Sequence, residues 1–206
     1  MKVVVYGANF GGRDDMLGVL PNASYEFHYF SERRFTYPGC QCHGSQKVFE
    51  SPRKTARWHK INSHLLFPDA DVTVWFDSNL MLLQPVSKFL AHASSDFCAF
   101  EHPHRDCTYA EGEEILRLRW ESWDRIPEQL QAYAAAGYPK NNGLLSTRIV
   151  IRKNTPEVRA LNELWWQHVE RYSLRDQISL PYVLWELGVT PGTVPHEFVK
   201  VLAHVK

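Results

Sequence analysis

Residues 72–79 read Val-Thr-Val-Trp-Phe-Asp-Ser-Asn, an apolar run that stops at three polar residues. Its β-branched and aromatic residues predict a buried strand that ends at Phe76. Asp77 and Asn79 follow at once, and oxygens placed one residue apart can bind a hard divalent cation together with phosphate oxygens. A plain turn is the alternative, because Asp, Ser and Asn all favour turns. The apolar strand and a basic helix upstream favour the cation site.

Strands and helices alternate on both sides of this stretch. The sequence predicts strands at 2–6, 25–30, 71–76, 96–100 and 144–152, and helices at 51–67, 108–119, 128–136 and from 155 onward. Residues 31–51 are predicted as a long loop. This alternation indicates the α/β class, with a single mainly parallel sheet flanked by helices on both faces. Chemistry in such sheets gathers beyond the carboxyl ends of the strands, where Asp77 and Glu101 fall.

Three predicted helix starts rest on capping residues. Ser51 followed by Pro52 is typical of an N-cap and a first turn. Thr108 with Glu111 fits a capping box. Ser173-Leu-Arg-Asp-Gln177 fits the same pattern through Ser173 and Asp176, and a chemical role for this segment is an alternative that the capping role does not exclude.

The composition indicates one folded domain without a strong overall field. The chain has 206 residues, 44% of them hydrophobic, enough for a full core in a single domain spanning 1–206. Lys plus Arg and Asp plus Glu number 23 each, so no net charge draws the chain to nucleic acid or to an anionic membrane. Any bound anion therefore depends on a local cluster of cationic side chains.

The sequence predicts neither a membrane span nor a secretion signal. Residues 1–6 lack the charged start and apolar block of a signal peptide. No apolar run approaches the ~20 residues needed to span a bilayer. The four cysteines, at 40, 42, 98 and 107, follow no recognisable disulfide framework. We therefore expect a cytoplasmic protein without a transmembrane segment, and peripheral attachment to a membrane stays open.

Four basic residues are spaced for one face of the helix before Asp77. Their spacings of four, three and four residues predict a shared face, formed by Arg53, Arg57, Lys60 and His64. Ile61 and Leu65 are predicted to pack on the sheet, which leaves the basic face free. Like charges so close repel each other, so a bound anion such as a nucleoside diphosphate would compensate them. A merely solvated face is the alternative.

Other groups of polar residues give weaker predictions. Glu101-His-Pro-His-Arg-Asp106 is the densest titratable group, yet a proline separates its histidines and no acidic partner pattern accompanies them. Cys40-Gln-Cys42-His43 lacks the second pair of ligands that zinc sites use. Tyr138-Pro-Lys-Asn-Asn-Gly143 predicts a turn before a strand. Its paired amides, Asn141 and Asn142, are equally suited to sugar hydroxyls.

In their order along the chain, these stretches resemble a plant and bacterial family of glycosyltransferase-like domains, formerly of unknown function. The family is similar to the A-type glycosyltransferases, which have a single Rossmann-like fold. The resemblance runs from about residue 50 to residue 180. It is carried by Arg57-Trp-His-Lys-Ile-Asn-Ser-His-Leu-Leu-Phe-Pro68 with Val74-Trp-Phe-Asp-Ser-Asn79, by Glu101-His-Pro-His-Arg-Asp-Cys107, by Gly137-Tyr-Pro-Lys-Asn-Asn-Gly143, and by Ser173-Leu-Arg-Asp-Gln177.

The resemblance implies roles for individual residues. Asp77 and Asn79 look like the family's Asp-x-Asp motif, which binds Mn²⁺ or Mg²⁺ and the diphosphate, with Asn in place of the last Asp. His204 would complete the metal shell. Asp176 would orient the donor sugar or act as base, and Glu101 is the second candidate base. The implied substrate contacts are Tyr6, Gly7 and Asn9 for the base and ribose, Arg57, Lys60, Asp77, Ser78 and Asn79 for the diphosphate, and His102, Arg105, Asn141, Asn142 and Gln177 elsewhere.

The resemblance thus implies transfer of a sugar from a nucleoside diphosphate to a hydroxyl of a carbohydrate or glycoconjugate, as in polysaccharide synthesis. Two alternatives stay open. A metal-dependent phosphohydrolase or nucleotidyltransferase would need a denser carboxylate cluster for two metals. A catalytically silent module that binds a sugar or a nucleotide would agree with Asn79 in place of an aspartate.

Overall fold

The computed structural model describes residues 1–12, 24–33, 36–119 and 125–201. The strands are β1 (Val3–Asn9), β2 (Glu26–Ser31), β3 (Gln41–His43), β4 (Val72–Phe76), β5 (Leu80–Leu82), β6 (Phe97–Glu101), β7 (Leu145–Lys153), β8 (Gly192–Thr193) and β9 (Val199–Val201). The helices are α1 (Pro52–Ile61), α2 (Ser63–Leu66), α3 (Val86–His92), α4 (Thr108–Arg117), α5 (Arg125–Ala135), α6 (Pro156–Arg171) and α7 (Asp176–Glu186).

Seven of these strands form one sheet in the order β3-β2-β1-β4-β7-β6-β8. β7 runs antiparallel to both of its neighbours, and the remaining neighbours pair in parallel. The predicted α/β class with a mainly parallel, helix-flanked sheet is therefore confirmed. Because β7 is reversed, its first residues lie at the edge where the other strands end. Glu101 pairs with Leu145, and Phe76 pairs with Ile149.

Helices cover both faces of this sheet, and each face has its own apolar core. One core contains Tyr6, Ile61 and Trp165, and it packs helices α1, α4, α5, α6 and α7 against the sheet. The other contains Phe27, Phe76 and Phe89, and it packs α3 and the two-stranded β5-β9 sheet on the opposite face. The buried runs of β1, β4 and β6 are apolar on both sides because both faces are covered.

The structure confirms the helix starts that were predicted from Ser51 and Thr155. Ser51 Oγ accepts from the backbone N–H of Lys54 at 3.0 Å, and Pro52 opens the helix. Thr155 Oγ1 accepts from the N–H of Val158 at 3.3 Å. Both side chains satisfy a donor that the first helical turn leaves unpaired.

Neither predicted capping box forms: Thr108 lies inside the helix instead of capping it, and Glu111 and Ser173 bind other side chains. Helix α4 begins at Thr108 with Cys107 as its N-cap, and Glu111 pairs with Arg105 instead of capping. Ser173 donates its hydroxyl to Gln129 Oε1 at 2.8 Å. Helix α7 begins only at residue 176 and has no side-chain cap.

Two further predictions are corrected. The helix expected over 51–67 is divided at Asn62, whose amide donates to the carbonyl of Trp58 at 3.0 Å and whose backbone leaves the helical region. The loop expected over 31–51 contains strand β3, which adds to the edge of the sheet beside β2. Among the described residues, no helix has the length and apolar character that crossing a bilayer requires.

Candidate active site

Asp77 is held at the carboxyl edge of the sheet, directly after β4. Its backbone N–H donates to the carbonyl of Arg148 on β7 at 2.8 Å. Oδ1 accepts from Trp75 Nε1 at 2.8 Å and lies 3.4 Å from Lys60 Nζ. The side chain is 27% exposed. These contacts orient the carboxylate and leave part of it open to a ligand.

Lys60 is buried below Asp77 and contacts three oxygens. Its side chain is 1% exposed, and Nζ lies 2.8 Å from Asp176 Oδ2, 2.9 Å from Thr147 Oγ1 and 3.4 Å from Asp77 Oδ1. An ammonium group has three donors, so these contacts use all of them. Lys60 therefore has no donor left for a phosphate in this structure, in contrast to the direct contact that was predicted. The residue instead neutralises two carboxylates and positions them.

Asp176, the first residue of α7, is the centre of a buried ion cluster formed by Arg57, Lys60, Thr147 and Asp176. Arg57 Nε lies 3.1 Å from Oδ1, and Thr147 donates to Oδ2 at 2.8 Å. Burial alone would raise the pKa of Asp176, but the charges of Arg57 and Lys60 and the hydrogen bonds from Lys60 and Thr147 outweigh it and hold the pKa well below its usual range.

This environment changes the role expected for Asp176. A carboxylate with a depressed pKa and both oxygens engaged accepts a proton poorly, so Asp176 does not suit a general base. Its charge is compensated inside the protein, and it anchors α7 to α1 and β7. The neighbouring Gln177 is half-buried, and its Nε2 lies 3.4 Å from the carbonyl of Leu145.

The predicted free basic face does not form. The helix break at Asn62 places His64 on α2, where it is buried and lies 3.8 Å from Glu163. Leu65, expected to pack on the sheet, is 60% exposed. Arg57 is the member of the set that combines a contact to the cluster with partial exposure, at 20% of its side chain. It is therefore the basic residue that can meet a ligand at this edge.

Tyr6, Gly7 and Ser78, which were predicted as substrate contacts, are buried and have packing roles in the structure. Tyr6 is fully buried, and its hydroxyl donates to the carbonyl of Lys60 at 2.9 Å. A Cβ on Gly7 would lie 3.0 Å from the carbonyl oxygen of Phe76, so the strands approach too closely there for a side chain. Ser78 is buried and bonds Tyr29 Oη at 2.6 Å and the carbonyl of Ala8 at 3.2 Å.

Asn9 and Asn79 keep the exposure that a ligand contact needs. Asn9 ends β1, Asn79 follows Ser78, and both are half-buried. They therefore remain candidates for the donor side of the site, next to Asp77.

A cavity of about 560 Å³ opens beside the end of β6, and we call it the edge cavity. Glu101 lines it and is exposed. The predicted site residues His102, Arg105 and Asn142 also line it. Asn141 is exposed, with a φ of 55° in the preceding turn, and does not line the cavity. The structure thus divides the predicted residues between Asp77 and the edge cavity.

The polar side of the edge cavity is ordered by ion pairing. Arg105 Nε pairs with Glu111 Oε2, and the backbone N–H of Arg105 donates to His102 Nδ1 at 3.1 Å. Burial lowers the pKa of His102, the charge of Glu111 opposes this, and that of Arg105 adds to it. A neutral His102 fits its role as an acceptor for a backbone donor.

The oxygens of Asp77 and Asn79 are of the type that binds a hard divalent cation. Within the described part of the chain, no three His, Cys, Asp or Glu side chains are grouped to bind a metal ion. Asp77 and Asn79 supply oxygens, and Mg²⁺ is commonly bound by one or two carboxylates together with substrate phosphates. His204 lies outside the described residues.

Comparison with known proteins assigns the domain to a family. The family model of the TOD1/MUCI70 glycosyltransferase-like domain matches residues 43–201, most of the chain. The chain belongs to this family.

Other members and neighbours of the TOD1/MUCI70 family show how far the similarity extends. The "Probable hexosyltransferase MUCI70" of Arabidopsis thaliana is 24% identical over 147 residues, which is 66% of this chain and 25% of that protein. The apo structure of the bifunctional glycosyltransferase WbbM superposes with a TM-score of 0.57 at 13% identity, over 95% of this chain and 39% of that one. The chain thus spans about a quarter of this curated relative, and the WbbM likeness shows the fold.

Sequence reasoning missed three residues that shape the site. Thr147 links Lys60 to Asp176, and Trp75 bonds Asp77. Trp185 lines the edge cavity and is 37% exposed. The reversed direction of β7 would have indicated Thr147, since that reversal brings residue 147 to the sheet edge where Asp77 lies. An exposed tryptophan gives no signal in one sequence.

Proposed function

We propose that this protein transfers a sugar from a nucleoside-diphosphate donor to a hydroxyl of a carbohydrate or glycoconjugate acceptor. The observation that carries the proposal is Asp77, a part-exposed carboxylate fixed by Trp75 and Lys60 at the strand edge, within a glycosyltransferase-like domain. The edge cavity beside Glu101 supports the proposal, because it offers space for a second ligand on the same edge.

The donor diphosphate is proposed to bind at Asp77, Asn79 and Arg57. Asp77 and Asn79 would hold Mn²⁺ or Mg²⁺ jointly with the diphosphate, and the cation would offset the charge that develops as the diphosphate leaves. Arg57 contacts Asp176 and Leu174 through Nε, and its guanidinium has further donors for phosphate oxygens. Lys60 is a positioning residue, because its ammonium group holds the Asp77 carboxylate in place.

Glu101 is the proposed general base. The acceptor oxygen attacks the anomeric carbon, its proton passes to the Glu101 carboxylate, and the bond from the anomeric carbon to the diphosphate breaks with its electron pair on the diphosphate oxygen. β6 lies two strands from β4, about 10 Å across the sheet at the usual strand spacing of ~4.8 Å. That separation leaves room for the donor sugar between Asp77 and Glu101.

A catalytically silent binding module is the second candidate. Asn79 in place of an acidic residue, and an ammonium group 3.4 Å from Asp77 Oδ1, both weaken a cation site. A two-metal phosphohydrolase has less support, since the described residues assemble no cluster of three metal-ligating side chains.

Binding and turnover separate these candidates. UDP and GDP, each with and without Mn²⁺, are expected to raise the melting temperature, because a ligand of the native state stabilises it. The nucleotide sugar that stabilises the protein most is then assayed for release of its diphosphate. Binding without release would favour the silent module, and no shift with any nucleoside diphosphate would contradict the transferase. The matched variants are Asp77→Asn, expected to lose the metal-dependent shift, and Asp96→Asn, expected to retain it.

A further inference from the structure

The edge cavity has two chemically different sides. Its apolar side is formed by Pro181, Leu184, Trp185, Val189 and Pro191. Its polar side carries Glu101, His102, Arg105, Asp106 and Asn142. A cavity of about 560 Å³ lies within the range of sites for small ligands, which combine an apolar lining with a few polar groups. A sugar ring has the matching character, with an apolar C–H face and a rim of hydroxyls.

The charges of the cavity disfavour a phosphate group. Among its lining residues, all within the described chain, Arg105 is the only Lys or Arg, and Glu111 already pairs with it. Glu101 and Asp106 are exposed carboxylates on the same side. A diphosphate or a uronate would meet net negative charge there. The cavity therefore suits an uncharged ligand better than the nucleotide.

Trp185 supplies a flat surface that is fixed from behind. Its ring packs against Tyr138 with centroids 5.5 Å apart and against Tyr182 at 5.7 Å, yet 37% of the residue is exposed. Tyr182 itself stacks on Tyr133 at 3.8 Å, which makes the support rigid. Such a ring is available for stacking at little cost in conformational entropy.

Helix α7 connects this surface to the buried ion cluster. Asp176 is its first residue, and Trp185 lies in its last turn. At a rise of ~1.5 Å per residue the two positions are about 14 Å apart along the helix. One helix thus spaces the donor side of the site from the apolar wall of the edge cavity.

We propose that the edge cavity binds an uncharged carbohydrate, the acceptor of the transfer, with Trp185 as the stacking surface and Asn142 at the rim. The acceptor role rests on the proposed function. The carbohydrate site itself rests on the cavity, its charges and the exposed indole.

The test is the binding of short oligosaccharides to the whole chain, measured by calorimetric titration and saturation-transfer NMR. Neutral oligosaccharides of glucose, xylose, galactose and mannose are compared with oligogalacturonate. We expect at least one neutral series to bind, and to bind more tightly than the uronate. Trp185→Ala is expected to weaken that binding about tenfold or more, while Trp185→Phe retains most of it.

Two other variants complete the set. Leu65→Ala removes an exposed apolar side chain on α2, outside the cavity, and is expected to leave carbohydrate binding unchanged. Asn142→Ala changes an exposed rim residue, so it tests the cavity even if Trp185→Ala reduces folding. We expect it to weaken binding severalfold.

Nucleotide binding by the unchanged protein, measured in parallel, separates the two proposals. UDP or GDP binding together with carbohydrate binding that ignores Trp185→Ala and Asn142→Ala would overturn the cavity assignment and leave the transferase intact. The same holds if no neutral oligosaccharide binds, or if the uronate binds more tightly. Carbohydrate binding that depends on Trp185 without any nucleotide binding would overturn the acceptor role, because no transfer would remain.

Discussion

The buried ion cluster and the edge cavity lie at the same edge of one sheet and use charged residues in opposite ways. In the cluster, Lys60 and Asp176 are almost completely excluded from solvent and compensate each other. In the cavity, Glu101 is exposed, so its charge remains solvated and needs no compensating partner. A charge that is compensated inside the protein supports the structure, whereas an exposed one is available for chemistry. Stability and activity should therefore respond in opposite ways to substitutions in the two regions.

The largest loss of stability is expected from Lys60→Met. This substitution leaves the Asp176 carboxylate buried with one cation fewer, and removing one partner of a buried ion pair typically costs about 3–5 kcal/mol. Urea denaturation of the variant and the unchanged protein measures the difference in the free energy of unfolding. If Lys60 lay on an exposed basic face, relief of repulsion among like charges would instead leave stability unchanged or higher.

The control for Lys60→Met is Lys153→Met, at an exposed lysine that pairs with Asp96 on the surface. We expect it to leave the denaturation midpoint nearly unchanged, since exposed pairs contribute little. Equal effects of the two substitutions would mean that the cluster is not a structural unit.

As the pH is lowered, the buried histidines should reduce the free energy of unfolding before the ion cluster does. Burial lowers the pKa of His59 to about 4, although the hydrogen bond from Nδ1–H to the carbonyl of Thr55 opposes this. Nε2 accepts from the backbone N–H of Gln46, so a second proton has no place there. Its folded pKa lies below the unfolded value of ~6.5, so its contribution to stability is full above that value and declines as the pH falls toward 4. The loss should be on the order of 2–3 kcal/mol.

Asp176 has a linkage of the same sign, but in a lower pH window. Its depressed pKa stabilises the fold above the unfolded value of ~3.9 and loses that contribution only as the pH falls below it. Between pH 6.5 and 4 the slope of stability should therefore depend on buried histidines and not on the cluster. His59→Gln should flatten this slope in urea denaturation over that range, and His104→Gln, at an exposed position, should not. An unchanged slope in His59→Gln would contradict the assignment.

A smaller loss is expected from Thr147→Val, which keeps the shape of the side chain. The hydroxyl donates to Asp176 and accepts from Lys60, so its removal leaves one unsatisfied group on each. Such a loss costs about 1–3 kcal/mol. Thr147→Ser restores the hydroxyl and should recover most of the stability. If Thr147→Ser is as unstable as Thr147→Val, packing of the methyl group and not the hydrogen bonds matters.

The two regions also differ in how much of them the sequence could predict. The strand Val72–Phe76, its abrupt end at Asp77 and the capping of α1 by Ser51 depend on neighbouring residues, and the structure has them as predicted. Local pattern is sufficient wherever the deciding contacts are a few residues apart.

The rest depends on contacts between distant parts of the chain. Lys60 meets Thr147 and Asp176 across 87 and 116 positions, and this pairing decides that the lysine is buried. The direction of β7 places Thr147 at the site, and nothing in residues 145–153 encodes that direction. Ser173 fitted a capping box, but Gln129 binds its hydroxyl instead. A local sequence pattern does not show that a residue far along the chain will bind the same side chain.

The smallest effect on stability, joined to a large effect on activity, is expected from Glu101→Gln. The side chain is exposed at the end of β6, so the substitution should leave the urea midpoint unchanged. An amide accepts no proton from the acceptor hydroxyl, and loss of a general base typically lowers the rate about 10²–10⁴-fold. Transfer is measured with the nucleotide sugar and the oligosaccharide that bind best. Glu128→Gln, at an exposed position on α5, is the control and should retain full activity.

Asp176→Asn makes the same chemical change inside the buried ion cluster, and there the loss of stability should dominate. If Glu101→Gln stays active while Asp176→Asn folds normally and is inactive, the base belongs to the cluster and the contrast between the two regions fails.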